Sequence, residues 1–371
     1  MTRPTSTPAA ARRAAAFAIT LAVSLAACHA GPVRPEGAVD PRTYSICQDP
    51  DGAAAWARAR AALARNDDAA ALPDLRLCVE RCPDLVRAHL AWQDTARRVG
   101  GDAERTMQQH YLGLPQGASV VGDYMRARLA DTSYAQGNAL TEILRRDPSF
   151  AWAHLSLARV TRRQGRLLPA IDMFAAAIVN DAELYEARLE RAQVLAELGR
   201  EEEAALDYRA YLRGVPDDTA AMRAYVTLLL YRLGRIDEAM SLLDRLEQED
   251  PKSTSLRMDR AAAFWRAQEF REAAETYLRV LAEQPDCARA ALNIGYLYYE
   301  VLPTDEVSRR RFWPAARAAF RLFLKNTEPT DGHEQFERTL AVPYRLAVIE
   351  ELLGPDAGAQ ILLEDLAWPG G

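Results

Sequence analysis

The first 27 residues open with a basic start at Arg3, Arg12 and Arg13, followed by an apolar run from Ala14 to Ala27 that contains no charge. A run of this length is short for a bilayer span and has the layout of a secretory signal. Polarity returns abruptly at Cys28. From Gly31 to about Asp51 the chain is rich in Pro and Gly, shows neither a helical nor an alternating period, and predicts a tether. At ~3.3 Å per residue, that tether reaches on the order of 60 Å. Beyond it, apolar residues recur at helical spacing, with no runs of alternating β-branched residues, so the remainder is expected to be all-α.

Self-comparison divides this helical region into repeats. "QGRLLPAIDMFAAAIVNDA" aligns with "LGREEEAALDYRAYLRGVP", placing Gly165 on Gly199, Ala170 on Ala204, Phe174 on Tyr208 and Ala182 on Pro216, each pair 34 residues apart. The frame continues at Gly234, Ala239 and Pro251, then at Gln268, Ala273, Tyr277 and Pro285. Backwards it reaches Asp131 and Pro148, and then Asn66, Ala71, Leu75 and Pro83. Each Gly or its equivalent falls where a first helix must turn, each Ala allows two helices to approach closely, and each Pro stops a second helix. The ring four residues after the Ala shares its helical face and points into the seam.

This period and pattern resemble the tetratricopeptide repeat, a helix-turn-helix unit. The resemblance implies a right-handed α-solenoid of about eight repeats over residues 52–328, closed by a C-terminal cap over 329–371 that is expected to show a polar outer face. Departures from the pattern predict irregularity around Tyr111 to Gly122 and one extra residue in the unit around Tyr225. They also predict an insertion before Ala316 and Phe320, and a further helix from Gln335 to Leu353 interrupted near Pro343.

The boundary "LAAC", Leu25 to Cys28, resembles the lipobox of bacterial lipoproteins. It implies a signal peptide over 1–27, a palmitate-bearing anchor at Cys28 and a tether over 28–51. The alternative is a soluble periplasmic or secreted protein cleaved at another alanine; a twin-arginine signal lacks its full pattern here. Cleavage removes three arginines and no acid, moving the formal net charge from -6 to -9, and an acidic chain is poorly suited to nucleic acid. His29 after the anchor favours the outer membrane, facing the periplasm, over the inner membrane or the cell surface.

Tyr231, Trp265 and Tyr299 are also 34 residues apart. In the tetratricopeptide family that face lines a concave groove, where such rings would anchor a protein or peptide partner; the alternative is core packing between repeats. Arg159, Arg162 and Arg163 occupy the equivalent face earlier in the chain, with Arg232 and Arg266 later. They would either clamp a partner's carboxylates or pair with neighbouring acids. "LPTDEVSRRRFWP" is read either as a basic aromatic protrusion or as the start of an extended helix with Trp313 packed inside.

Cys47 is within reach of Cys78 or Cys82, because antiparallel helices bring the two ends of the first repeat together. A bond there would contribute roughly 3–4 kcal/mol. No histidine has zinc-like spacing with Cys78 and Cys82, so no metal is expected. The sequence holds no G-x-S-x-G, H-E-x-x-H, phosphate-binding loop or dinucleotide fingerprint, and no cofactor is expected. The reading is therefore a non-enzymatic scaffold or adaptor in envelope assembly or secretion. Two alternatives stay open: a carbohydrate-binding accessory of cell-wall polymer metabolism, and an enzyme with dispersed catalytic residues.

Overall fold

The computed structural model describes residues 40–326, 332–355 and 363–368, so the signal segment and Cys28 lie outside the described residues. The chain forms two compact units, divided between Leu198 and Gly199, and each is a stack of antiparallel helix pairs. Among the described residues there is no strand.

Unit 1 contains α1 (Pro50–Ala64), α2 (Asp68–Arg81), α3 (Val86–Val99), α4 (Gly101–Gly113), α5 (Val120–Ala127), α6 (Ser133–Arg146), α7 (Ala151–Arg163), α8 (Leu167–Asn180) and α9 (Tyr185–Glu197). Unit 2 contains α10 (Glu201–Gly214), α11 (Thr219–Leu228), α12 (Ile236–Glu249), α13 (Thr254–Arg266), α14 (Phe270–Glu283), α15 (Ala288–Tyr296) and α16 (Glu306–Asn326), then α17 (Gly332–Phe336) and α18 (Val342–Leu353).

The repeat signals act as the sequence predicts. Gly165, Gly199 and Gly234 adopt φ of 75°, 72° and 66° between first and second helices, and Asn66 and Gln268 take the same left-handed conformation without being glycine. Helices α2, α6, α12 and α14 end just before Pro83, Pro148, Pro251 and Pro285. Ala170, Ala204, Ala239 and Ala273 are fully buried, and Phe174, Tyr208 and Tyr277 bury with them. Truncating such a ring typically costs about 3–5 kcal/mol.

The irregularities have physical forms. The extra residue near Tyr225 is taken up by a π turn at Leu229–Leu233, closed by Arg235 N–H donating to Leu229 O at 3.0 Å. Leu297–Val301 and Glu337–Ala341 form similar turns, the second lying immediately before Pro343. In unit 1, α5 has only 8 residues, and a cleft of about 630 Å³ opens beside it, lined by Leu112, Asp123, Arg126, Ile143 and Arg146 among others.

Two expectations are corrected, and one pair of alternatives is decided. The tether does not extend to Asp51: Pro41–Tyr44 form a 3-10 turn and Tyr44 is buried against unit 1, because its ring and hydroxyl both find partners there. Of the two readings of the segment before Trp313, the extended helix with Trp313 packed inside holds and the protrusion does not. α16 starts at Glu306, Phe312 and Trp313 are buried, and Trp313 Nε1 donates to Tyr299 O at 3.2 Å. The C-terminal helix does not present a polar outer face, since Phe336, Leu340 and Tyr344, spaced by four, are 51%, 60% and 67% exposed. What closes unit 2 is the 363–368 segment. Leu366 is buried, its carbonyl accepts from Tyr298 Oη at 3.1 Å, and Trp368 packs edge-on to Phe312 at 5.7 Å.

Candidate functional site: the face of the first helices

In unit 2, the π turn at the end of α11 carries Tyr231 outward, leaving it 45% exposed. Its hydroxyl donates to Asp259 Oδ1 on α13 at 3.3 Å, and the Arg266 guanidinium lies 5.4 Å from the ring centre. Burial, reinforced by the Asp259 carboxylate, pushes the Tyr231 phenol up to about 12. Burial likewise raises the Asp259 carboxyl, against the Tyr231 hydrogen bond and the charge of Arg223. The phenol therefore stays protonated and serves as a hydrogen-bond donor.

Trp265 and Tyr299 are half-buried and pack against the core of unit 2. Tyr299 stacks on Trp313 with centroids 5.1 Å apart, and Arg345 lies 6.0 Å from its ring and 4.6 Å from that of Tyr296. Arg345 is fixed by Glu300 Oε1 at 2.9 Å, and Tyr296 Oη donates a short bond to Glu337. The three rings thus differ: Tyr231 is partly open to solvent, whereas Tyr299 is already sandwiched by the chain itself. The sequence reading missed Tyr344, which stands close enough to Tyr299 to raise that phenol further. Its position on α18 falls outside the 34-residue frame, so no periodicity could have exposed it.

Three of the five arginines named from sequence are engaged by acids. Arg159 holds Glu190 at 2.8 and 3.1 Å, Arg162 forms a short pair with Glu197, and Arg232 meets Glu201 at 3.1 Å. Arg163 donates to Gln136 Oε1 at 2.9 Å. Of the two readings, Arg159, Arg162 and Arg232 therefore follow the pairing one and act as internal ties, because α9 supplies carboxylates to Arg159 and Arg162 of α7 and α10 supplies Glu201 to Arg232. Arg266 alone of the five lies against an aromatic ring instead.

Cys47 is bonded to Cys82 with Cα atoms 5.3 Å apart, leaving Cys78 a free, buried thiol that burial pushes up to about 11. The bond needs Gly52. A Cβ there would run into Cys82 Sγ, 2.9 Å from Arg81 Cβ and 3.0 Å from Cys47 Sγ.

Two family models, both described as tetratricopeptide repeat, match residues 163–219 and 230–293. The chain contains tetratricopeptide repeats. The repeat protein is similar in fold to a tetratricopeptide repeat protein from Parabacteroides merdae, at 19% identity over 70% of this chain and 98% of that one, with a TM-score of 0.46. It is also similar to MamA from Desulfovibrio magneticus RS-1, at 14% identity over 47% of this chain and 94% of that chain, TM-score 0.40. A third likeness is YrrB, described as having an unusual peptide-binding site, at 17% identity over 55% of this chain and 100% of that one, TM-score 0.43. No curated protein matches the repeat protein significantly.

Proposed function

We propose that the repeat protein is a lipid-anchored adaptor that faces the periplasm and holds a protein partner on the aromatic face of unit 2, in envelope assembly or secretion. The observation that carries the partner-binding part is the exposure of Tyr231, at 45%, and of Tyr344, at 67%. Exposed rings on a rigid helix face provide large contact area at small entropic cost, which is the property of interface anchors. Arg266 adds a cation beside the apolar surface, and the Tyr231 phenol, whose proton goes to Asp259, adds an acceptor oxygen, so an extended segment with both amide N–H and carboxylate groups would find partners there.

Photo-crosslinking tests this reading. A photoreactive residue at Tyr231 or Tyr344 should capture the same envelope protein, while one at Leu206, an exposed apolar position on the second helix α10, should not. Equal capture from all three would reduce the finding to general stickiness and defeat the proposal.

Anchoring rests on the sequence from Leu25 to Cys28, with His29 favouring the outer membrane. Cys28→Ser should lose both palmitate labelling and membrane retention. A variant that still labels would end the lipoprotein reading without touching the binding face.

A further inference from the structure

Tyr44 behaves as a ligand that the chain supplies to itself. The turn Pro41–Tyr44 is opened by Asp40, whose carboxylate accepts Arg42 N–H at 2.9 Å, and it delivers the ring to the loop before α7. There Tyr44 is 8% exposed, lies edge-on to Phe150 at 4.8 Å, and donates its hydroxyl to Asp147 Oδ2 at 2.9 Å. Arg42, Thr43 and Ile46 around it are exposed, in contrast to the buried ring. Three residues on, the bond from Cys47 to Cys82 holds the segment in place.

The receiving slot is built without the tyrosine. Asp147 Oδ1 accepts Ser149 N–H at 3.0 Å and Ser149 Oγ–H at 2.6 Å, which fixes the carboxylate and turns Oδ2 toward the incoming hydroxyl. Asp181, one repeat further on, makes the same turn by accepting Glu183 N–H at 2.9 Å, and among the described residues no tyrosine hydroxyl is seen bonded to it. The repeat therefore forms this carboxylate turn with or without a ring above it. Phe150 is itself held edge-on by Tyr124 at 5.3 Å, so the apolar wall is also preformed.

We propose that the slot formed by Asp147 and Phe150 is a tyrosine-reading peptide site, filled in cis by Tyr44 and available to a tyrosine-bearing peptide segment of a partner that displaces it. The chemistry sets the selectivity. A phenylalanine would fill the apolar wall but leave Asp147 Oδ2 buried without a donor, and a phosphotyrosine would bring its charge against the carboxylate. The cis segment competes at the high effective concentration of a short tether, so it acts as an intramolecular gate.

The site lies in unit 1 and is independent of the aromatic face of unit 2. The test uses the full chain and a fluorescein-labelled peptide of residues 40–46, with phenylalanine and phosphotyrosine analogues. Tyr44→Ala should bind the tyrosine peptide at least tenfold more tightly than the unaltered protein does. Both analogues should bind that variant at least tenfold more weakly, and adding Asp147→Asn should abolish the preference over phenylalanine. Tyr44→Phe keeps the ring and its packing, so it guards against a folding defect: the tyrosine peptide should displace its segment more readily than that of the unaltered protein. Equal binding of the phenylalanine peptide, or no gain in either variant, would overturn the proposal.

Discussion

The same repeat position does opposite things in the two units. Three residues before the interhelix turn, unit 1 places Arg162, and unit 2 places Tyr231, Trp265 and Tyr299. In unit 1 this face is knit shut by charge, with Arg162 on Glu197, Arg159 on Glu190, and Arg87 reaching Glu186 at 2.8 Å across 99 residues of sequence. Arg87 also lies 5.3 Å from the Trp152 ring. In unit 2 the corresponding face carries rings, one of them open and one covered by Arg345. The repeat dictates where a side chain points, whereas the neighbouring helix decides whether that side chain is used up internally. An arginine with a glutamate on a neighbouring helix becomes a tie, and a tyrosine without a ring neighbour remains exposed.

Removing the covalent tie of unit 1 should have the largest effect on this contrast. Cys47→Ser opens the bond to Cys82, which spans 35 residues, and should cost roughly 3–4 kcal/mol of local stability. Hydrogen exchange should accelerate in α1 and α2 and stay unchanged in α12 to α14. Acceleration in both units alike would show that they unfold together rather than separately.

Acid should separate the units next. His89 on α3 is buried, with Nε2 facing Pro83 O at 3.0 Å and Nδ1 facing Tyr111 Oη at 2.8 Å. A carbonyl can only accept, so Nε2 carries the proton and Nδ1 accepts from the phenol. Burial lowers this imidazole to about 4. The folded pKa lies below the unfolded value of about 6.5, so the stabilisation is complete above pH ~6.5 and is lost as pH falls toward ~4. The loss is about 3 kcal/mol over that window. Denaturant titrations at pH 7.5 and pH 4 should show unit 1 losing this amount relative to His89→Gln, and parallel curves for the two proteins would contradict the assignment.

Much of this architecture is legible before any coordinates. Turn glycines, buried alanines and helix-stopping prolines are imposed by backbone sterics and close packing, which act locally and therefore leave a period in the sequence. The extra residue near Tyr225 was also visible, although its π-turn form was not, because an insertion inside a helix can be absorbed in several ways. Partnerships between distant residues left no such trace. Tyr44 meets Asp147 across 103 positions, and Arg345 covers Tyr299 from a helix outside the repeat frame. Whether Arg159 clamps a ligand or a neighbour depends on Glu190 standing one helix away, and the charge pattern alone allows both.

The smallest expected effect addresses that last ambiguity directly. Arg159 and Glu190 are partly exposed, at 39% and 20% for their side chains, so solvent screening limits their coupling to roughly 1 kcal/mol. A double-mutant cycle with Arg159→Ala and Glu190→Ala should recover about that interaction energy, read from chemical denaturation, and neither variant should alter capture of a partner by unit 2. Tyr231→Ala should do the reverse, changing stability by less than ~1 kcal/mol, since its ring is half exposed, while removing partner capture. If Arg159→Ala instead abolished capture at no cost in stability, the ion-paired face of unit 1 would be the working surface, and the pair with Glu190 only its resting state.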